Sequence, residues 1–302
     1  MSQFKNEIPS GFDSPLAVAE NQQDVEVWQD ANRTFWESSP MRYDWKETIG
    51  AEEYTAQFYD EIDRRFFENV KEFMPWQKVP FDPLIDFDGL RNKPVLEIGV
   101  GNGSHAELLA RHAGQFTGID LTDYAANSTA IRLQVRGLRD GKVMQMDAEQ
   151  LTFPDASFDF VWSWGVIHHS ANTPQIIQQI YRVLKPGGST VIMVYHRGWW
   201  NYYVVGALLA LKGRMNLHKA VQLNTDGAIA RYYSAADWVR TVQPNFKVEW
   251  VKIFGSKAEI VPIPGGTLKT TIMKLIPNAL SRFLTNQCRM GSFLVAKMQK
   301  PL

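Results

Sequence analysis

The sequence contains a single cysteine, Cys288, in 302 residues. One thiol cannot close an intrachain disulfide, which excludes a disulfide-stapled fold and favours a reducing, cytoplasmic setting. Charge excess is also missing, because 32 Lys and Arg balance 32 Asp and Glu. A chain that tracks a nucleic-acid backbone usually carries a basic surplus, so no nucleic-acid partner is expected. No apolar run approaches the ~20 residues that span a bilayer. The longest, Tyr202 to Leu211, is about half that length, so no stable membrane insertion is expected. Met1 to Gly11 is polar and has no apolar signal-peptide core. Internal repeats and low-complexity tracts are absent, and no metal site is expected.

What is present divides at about residue 92. Residues 1–23 read as irregular, with Pro9, Gly11 and Pro15. A helix follows from Asp24 and stops at Ser38-Ser39-Pro40. Met41-Arg42-Tyr43-Asp44-Trp45 reads as a loop. A long helix over about Ala51 to Phe73 is predicted from Tyr54, Phe58, Ile62, Phe66, Val70 and Phe73, which recur at helical spacing. Pro75, Pro80 and Pro83 close this N-terminal section, residues 1–92.

From Lys93 the pattern alternates between strand and helix. Strands are predicted at Val95–Ile98, Phe116–Ile119, Val143–Met146, Phe158–Ser163 and about Thr190–Tyr195, with helices at about 104–112, 123–136 and 173–184. Short apolar strands joined by helical crossovers imply an α/β, doubly wound, mostly parallel sheet. Lys185-Pro186-Gly187-Gly188 reads as a helix stop and turn. After Arg197 the rhythm breaks, and residues 199–233 read as an insertion within the main domain, residues 93–302. Ser234 caps a further helix through Val242. Strands at about Lys247–Ile253 and Ser292–Ala296 complete the sheet, separated by a stretch holding Pro262, Pro264, Gly265, Gly266 and Pro277.

The chemistry centres on Val95-Leu96-Glu97-Ile98-Gly99-Val100-Gly101-Asn102-Gly103-Ser104. A buried strand ends in a glycine turn and opens a helix. Glycine permits positive φ and close backbone approach, and the helix start offers free N–H groups. The dinucleotide pattern needs glycine at 104, where Ser104 stands, so a nicotinamide-binding turn is disfavoured. Asp120 ends the second strand, where a carboxylate can accept ribose hydroxyls. Asp147-Ala148-Glu149 ends the third, where an acid can accept from an adenine amino group. Trp164-Gly165-Val166-Ile167-His168-His169 ends the fourth.

This series, followed by Arg182-Val183-Leu184-Lys185-Pro186-Gly187-Gly188, resembles the class I S-adenosylmethionine-dependent methyltransferases of the small-molecule type. The resemblance covers about residues 93–198. It implies a seven-stranded sheet of order 3-2-1-4-5-7-6 with the last strand antiparallel, and S-adenosyl-L-methionine as cofactor. By the same resemblance Glu97, Gly99, Gly101 and Gly103 serve the methionine end of the cofactor. Asp120 takes the ribose, Leu121 packs near adenine, Asp147 and Ala148 meet the adenine edge, and the Trp164 carbonyl receives the amino group.

Methyl transfer from a sulfonium requires alignment above all, and a hydroxyl acceptor also wants a base. His168, His169, Tyr195 and His196 are the candidates, since strand ends at the carboxyl edge of such a sheet are where ligands bind. Tyr43 and Trp45, with Tyr59, are candidates for a lid. Trp199, Trp200, Tyr203 and Tyr232 are candidate walls of an apolar acceptor pocket. The stretch 199–211 has a rival reading as an interfacial helix at a membrane. The expected activity is methylation of a small organic acceptor in a biosynthetic pathway, O-methylation first. C-methylation of an aromatic or quinone-like acceptor, and cofactor binding without turnover, are the alternatives. The oligomeric state is not legible.

Overall fold

The computed structural model describes residues 8–44, 47–261, 263 and 265–302. Trp45, Pro262 and Pro264 lie outside the described residues. Helix α1 (Gln22–Ser38) begins where the Asn21 side chain accepts the Asp24 N–H at 2.9 Å. Helix α2 (Ala56–Phe73) begins at Thr55, later than the apolar spacing predicts, because Tyr54 adopts φ 68° and turns the chain first. From Phe58 onward the apolar stripe is buried as expected.

The sheet is built from β1 (Pro94–Ile98), β2 (Gln115–Asp120), β3 (Lys142–Gln145), β4 (Phe158–Trp164), β5 (Leu184–His196), β6 (Tyr232–Tyr233), β7 (Lys247–Phe254) and β8 (Phe293–Gln299). Its order is β3-β2-β1-β4-β5-β8-β7, and β8 is antiparallel to both neighbours. This is the expected seven-strand order plus one short strand, β6, which pairs with the end of β5. Helices α3 (Ser104–His112), α4 (Asp123–Val135) and α5 (Thr173–Val183) supply the crossovers, and α8 (Ala235–Val242) precedes β7. The Lys185–Gly188 group is not a turn before β5 but part of it. Phe158 faces Leu184 while Phe160 faces Ser189, so the residues between bulge out, with Gly187 at φ 74°.

Strand alternation divides the core between the two faces of the sheet. Leu96, Ile98, Val161, Ile192 and Val194 pack with Ile176, Ile177 and Ile180 of α5 and Trp238 of α8. Val95, Trp162, Val191 and Val295 pack with Phe66, Val70 and Phe73 of α2 and Leu109 of α3. By period two, Glu97 falls on the second face, with Val95.

Two excursions rise beyond the carboxyl edge. After β5, a π-helical turn (Trp199–Val205) runs into α6 (Gly206–Gly213), which ends at Arg214 with φ 50°, and then α7 (Leu217–Gln222). Between β7 and β8 lie α9 (Thr267–Leu275), α10 (Asn278–Arg282) and a second π-helical turn (Phe283–Gln287). No helix among the described residues is long and apolar enough to cross a membrane.

Candidate active site

The glycine turn opens onto a cavity of about 810 Å³ that runs along the carboxyl ends of β1, β2, β4 and β5. Gly99, Gly101 and Gly103 have φ of 81°, 53° and 82°. Their surroundings differ. A Cβ on Gly99 would stand 2.1 Å from Val166 Cγ2, whereas a Cβ on Gly101 would meet nothing within 4 Å. The first glycine is required by packing and the second leaves the cavity floor open.

The turn is held from below. Thr129 Oγ1 donates to the Gly101 carbonyl at 2.9 Å, and Arg132 donates to the Asn102 carbonyl at 3.1 Å. Arg132 is fully buried and paired with Asp63 and Glu107. Tyr59, a lid candidate, belongs to this support: its hydroxyl donates to the Ser128 carbonyl at 2.7 Å and it does not line the cavity. Tyr43 does line the cavity, with its ring against Phe66.

Asp120, Leu121, Asp147, Ala148 and Trp164 all line the cavity with the glycines. Asp120 accepts the Gly101 N–H at 3.1 Å and the Thr122 N–H at 3.0 Å, while burial raises its carboxyl above the usual range. Asp147 is held by α1, since Gln29 Nε2 donates to its two oxygens at 3.0 and 2.9 Å. Trp164 lies parallel to Trp162 with centroids 5.5 Å apart, edge-on to Phe81. Glu97 sits behind the wall rather than on it. It is buried, with Oε1 3.8 Å from His105 Nδ1 and Oε2 without a hydrogen bond. Burial, then the Asp120 charge, holds its carboxyl well above the usual range, and burial takes His105 down to about 3.

The four base candidates separate. His169 and Tyr195 line the cavity; His168 and His196 do not. His168 is fully buried with both ring nitrogens unpartnered and its ring 4.0 Å from that of Tyr195. His196 is turned to the Gly291 carbonyl at 2.7 Å. His169 Nδ1 lies 2.7 Å from the Ile229 carbonyl, which can only accept, so Nδ1 carries the proton and the unpartnered Nε2 is the lone-pair nitrogen. Burial takes its pKa down to about 4, so the ring is neutral. The aromatic candidates separate as well. Trp200 and Tyr232 line the cavity, while Trp199 is half-buried elsewhere and Tyr203 is exposed.

Two further buried groups shape the site: Arg231, which the sequence offered as a pocket-facing residue but which lies behind the wall, and Glu259, which the sequence did not offer. Arg231 donates to the Ala17 and Ala171 carbonyls at 2.6 Å each and to Ser170, fixing the segment that carries His168 and His169. Glu259 lines the cavity with Ser256, Lys269, Ser292 and Trp200. Its Oε1 accepts the Ser256 N–H at 2.8 Å. Burial pushes its carboxyl up to about 7, only partly offset by the polar groups of Ser292 and Ser256. Ser256-x-x-Glu259 is legible as a capping box, but nothing in the sequence aims it at the cavity.

Residues 96–192 match the family described as a methyltransferase domain. The chain is 28% identical over 158 residues to the ubiquinone biosynthesis O-methyltransferase of Azoarcus sp. (strain BH72), covering 50% of this chain and 67% of that one. It is 25% identical over 181 residues to the S-adenosyl-L-methionine-dependent Diels-Alderase iccD of Talaromyces variabilis, covering 57% of this chain and 59% of that one. Among solved structures it shares its fold with the cyclase SpnF, at a TM-score of 0.51 and 17% identity over 94% of this chain and 98% of that one.

Proposed function

We propose that this chain, which carries a class I S-adenosylmethionine-dependent methyltransferase domain, methylates a hydroxyl of a small, largely apolar acceptor in a biosynthetic pathway. The observation that carries this reading is one cavity with two chemically distinct sets of lining residues. Its wall combines the glycine turn, Asp120, Asp147 and Trp164 with Met193, His169, Tyr195, Tyr232, Trp200 and Glu259. The named O-methyltransferase relative supports an oxygen acceptor. The balanced charge of the chain supports a small molecule over nucleic acid, and the lone Cys288 supports a reducing, cytoplasmic setting.

The residues present fit S-adenosylmethionine. The floor at Gly101 is open, Asp120 and Asp147 offer carboxylates at the strand ends, and Glu97 keeps a buried oxygen unpartnered beside the turn. The cofactor, when bound, supplies a methyl group already activated by positive sulfur. The chain then has three tasks. Trp164, Tyr43 and Met193 exclude water, and Tyr195, Tyr232 and Trp200 orient the acceptor. His169 Nε2 accepts the hydroxyl proton as the oxygen becomes methylated. Orientation is the larger contribution, since effective molarities are worth roughly 7–11 kcal/mol and a positioned base roughly 10²–10⁴-fold.

A second reading is cofactor binding without transfer, which the similarity to the named Diels-Alderase favours. Incubation with methyl-labelled S-adenosylmethionine and a panel of phenols, catechols and hydroquinones separates the two. Label in an O-methyl product supports the reading. Cofactor binding with no label transferred to any acceptor favours the second, and label on carbon replaces O- by C-methylation.

A further inference from the structure

Three helices of these two excursions bury almost nothing. α9 has no buried residue, α6 buries only Gly206 and α10 only Ser281. Their apolar side chains face water instead: Leu208 is 60% exposed, Leu211 79%, Leu268 68% and Leu275 78%. Leu208 and Leu211 are three residues apart on α6, and Leu268 and Leu275 seven apart on α9, so each pair shares a helix face. Two of these helices reach the cavity, where Leu209 of α6 and Lys269 of α9 are wall residues. Lys269 Nζ also lies 5.5 Å from the Trp200 ring centroid, joining the two excursions.

Charge is distributed with the same bias. Residues 198–225 hold Lys212, Arg214 and Lys219 and no Asp or Glu; residues 260–296 hold Lys269, Lys274, Arg282 and Arg289 and no Asp or Glu. The chain as a whole is neutral, so the rest of it is acidic. Exposed leucines and exposed lysines, Lys212 and Lys274, therefore share α6 and α9, while the carboxylates that flank these segments, Asp226 and Glu259, line the cavity itself.

We propose that helices α6 and α9 dock the protein peripherally on an anionic membrane surface, with the cavity opening toward the lipid. Short amphipathic helices with leucines on one side and basic residues around them bind at the headgroup boundary, where apolar burial and attraction to anionic lipid add. A second copy of this chain is a poor occupant. A two-fold contact would set this basic surface against itself with no carboxylate in either segment to pair it. The docking takes from the proposed function only that an amphipathic acceptor enters this cavity, and it is measured without turnover.

The test is flotation of the full chain with vesicles of phosphatidylcholine alone and of phosphatidylcholine with phosphatidylglycerol. The wild type should float with the anionic vesicles, float far less with neutral ones, and be released as salt rises. The double variant Leu208→Asp/Leu275→Asp, and separately Lys212→Glu/Lys274→Glu, should each lower vesicle partition about tenfold or more. Calorimetry should find S-adenosylmethionine affinity unchanged in both, which shows that they are folded. Equal partition of wild type and variants, or no flotation with anionic vesicles, overturns the proposal. A wild-type dimer in light scattering that the leucine variant dissociates overturns it in favour of self-association.

Discussion

His169 donates its Nδ1 hydrogen to the carbonyl of Ile229 at 2.7 Å, which leaves Nε2 as a buried lone pair on the cavity wall. The neighbouring His168 has no such anchor and stands behind the wall. His169→Ala should therefore lower kcat by roughly 10²–10⁴-fold, the usual contribution of a positioned base, and leave cofactor affinity within about twofold. His168→Phe should lower kcat much less. Equal losses in the two would remove the distinction.

Burial keeps four histidines neutral in the fold: His105 at about 3, His169 at about 4, His218 at about 4, and His168 well below its usual value. In the unfolded chain each takes up a proton near 6.5. As pH falls below that value the unfolded state binds protons that the fold refuses, so stability falls, by up to about 1.4 kcal/mol per pH unit for each group. Urea midpoints should drop steeply between pH 6.5 and 4, and His218→Leu should flatten the drop.

Glu259 has the opposite sign. Its folded pKa of about 7 lies above the usual glutamate value, so the fold holds a proton that the unfolded chain has lost. Its effect is absent below about pH 4.5 and grows as pH rises to 7, each unit costing at most about 1.4 kcal/mol. Glu259→Gln keeps an acceptor for Ser256 and should gain stability over wild type at pH 8 but not at pH 4.5, as read from paired denaturation curves. A pH-independent difference would mean that the carboxyl does not titrate in this window.

The glycines should respond differently to alanine. At Gly99 the new Cβ meets Val166 at 2.1 Å with φ at 81°, so overpacking and backbone strain combine to roughly 2–4 kcal/mol. At Gly101 only backbone strain applies, roughly 1–2 kcal/mol, but the methyl group fills the open floor. Gly99→Ala should chiefly lower Tm. Gly101→Ala should chiefly weaken cofactor binding, by about tenfold or more.

The glycine-turn side of the cavity was legible because its signal is local. A strand, a glycine turn and a helix start follow one another within Val95–His112, and Asp120, Asp147 and Trp164 close successive parallel strands at the same edge. The sheet order followed from the same alternation of strand and helix. The side beyond β4 and β5 was not legible, because small geometric choices decide it. His168 and His169 are adjacent, and only the short turn at Ile167–His169 places one on the wall and the other behind it. Trp199 and Trp200 are likewise separated by a π-helical turn. Glu259 reaches the cavity through packing between residues at 255–259 and 291–292, which are distant in sequence.

The measurement that tests the account most directly is calorimetric titration of the protein with S-adenosylmethionine and its demethylated product, S-adenosylhomocysteine, repeated with Asp120→Ala. Both ligands should bind one to one in the wild type. The variant should lose roughly 1.5–3 kcal/mol, or about 10–150-fold in Kd, as expected for hydrogen bonds to a charged group. Absence of binding by either ligand would contradict the account at its base, and an Asp120→Ala affinity equal to wild type would contradict the role given to Asp120.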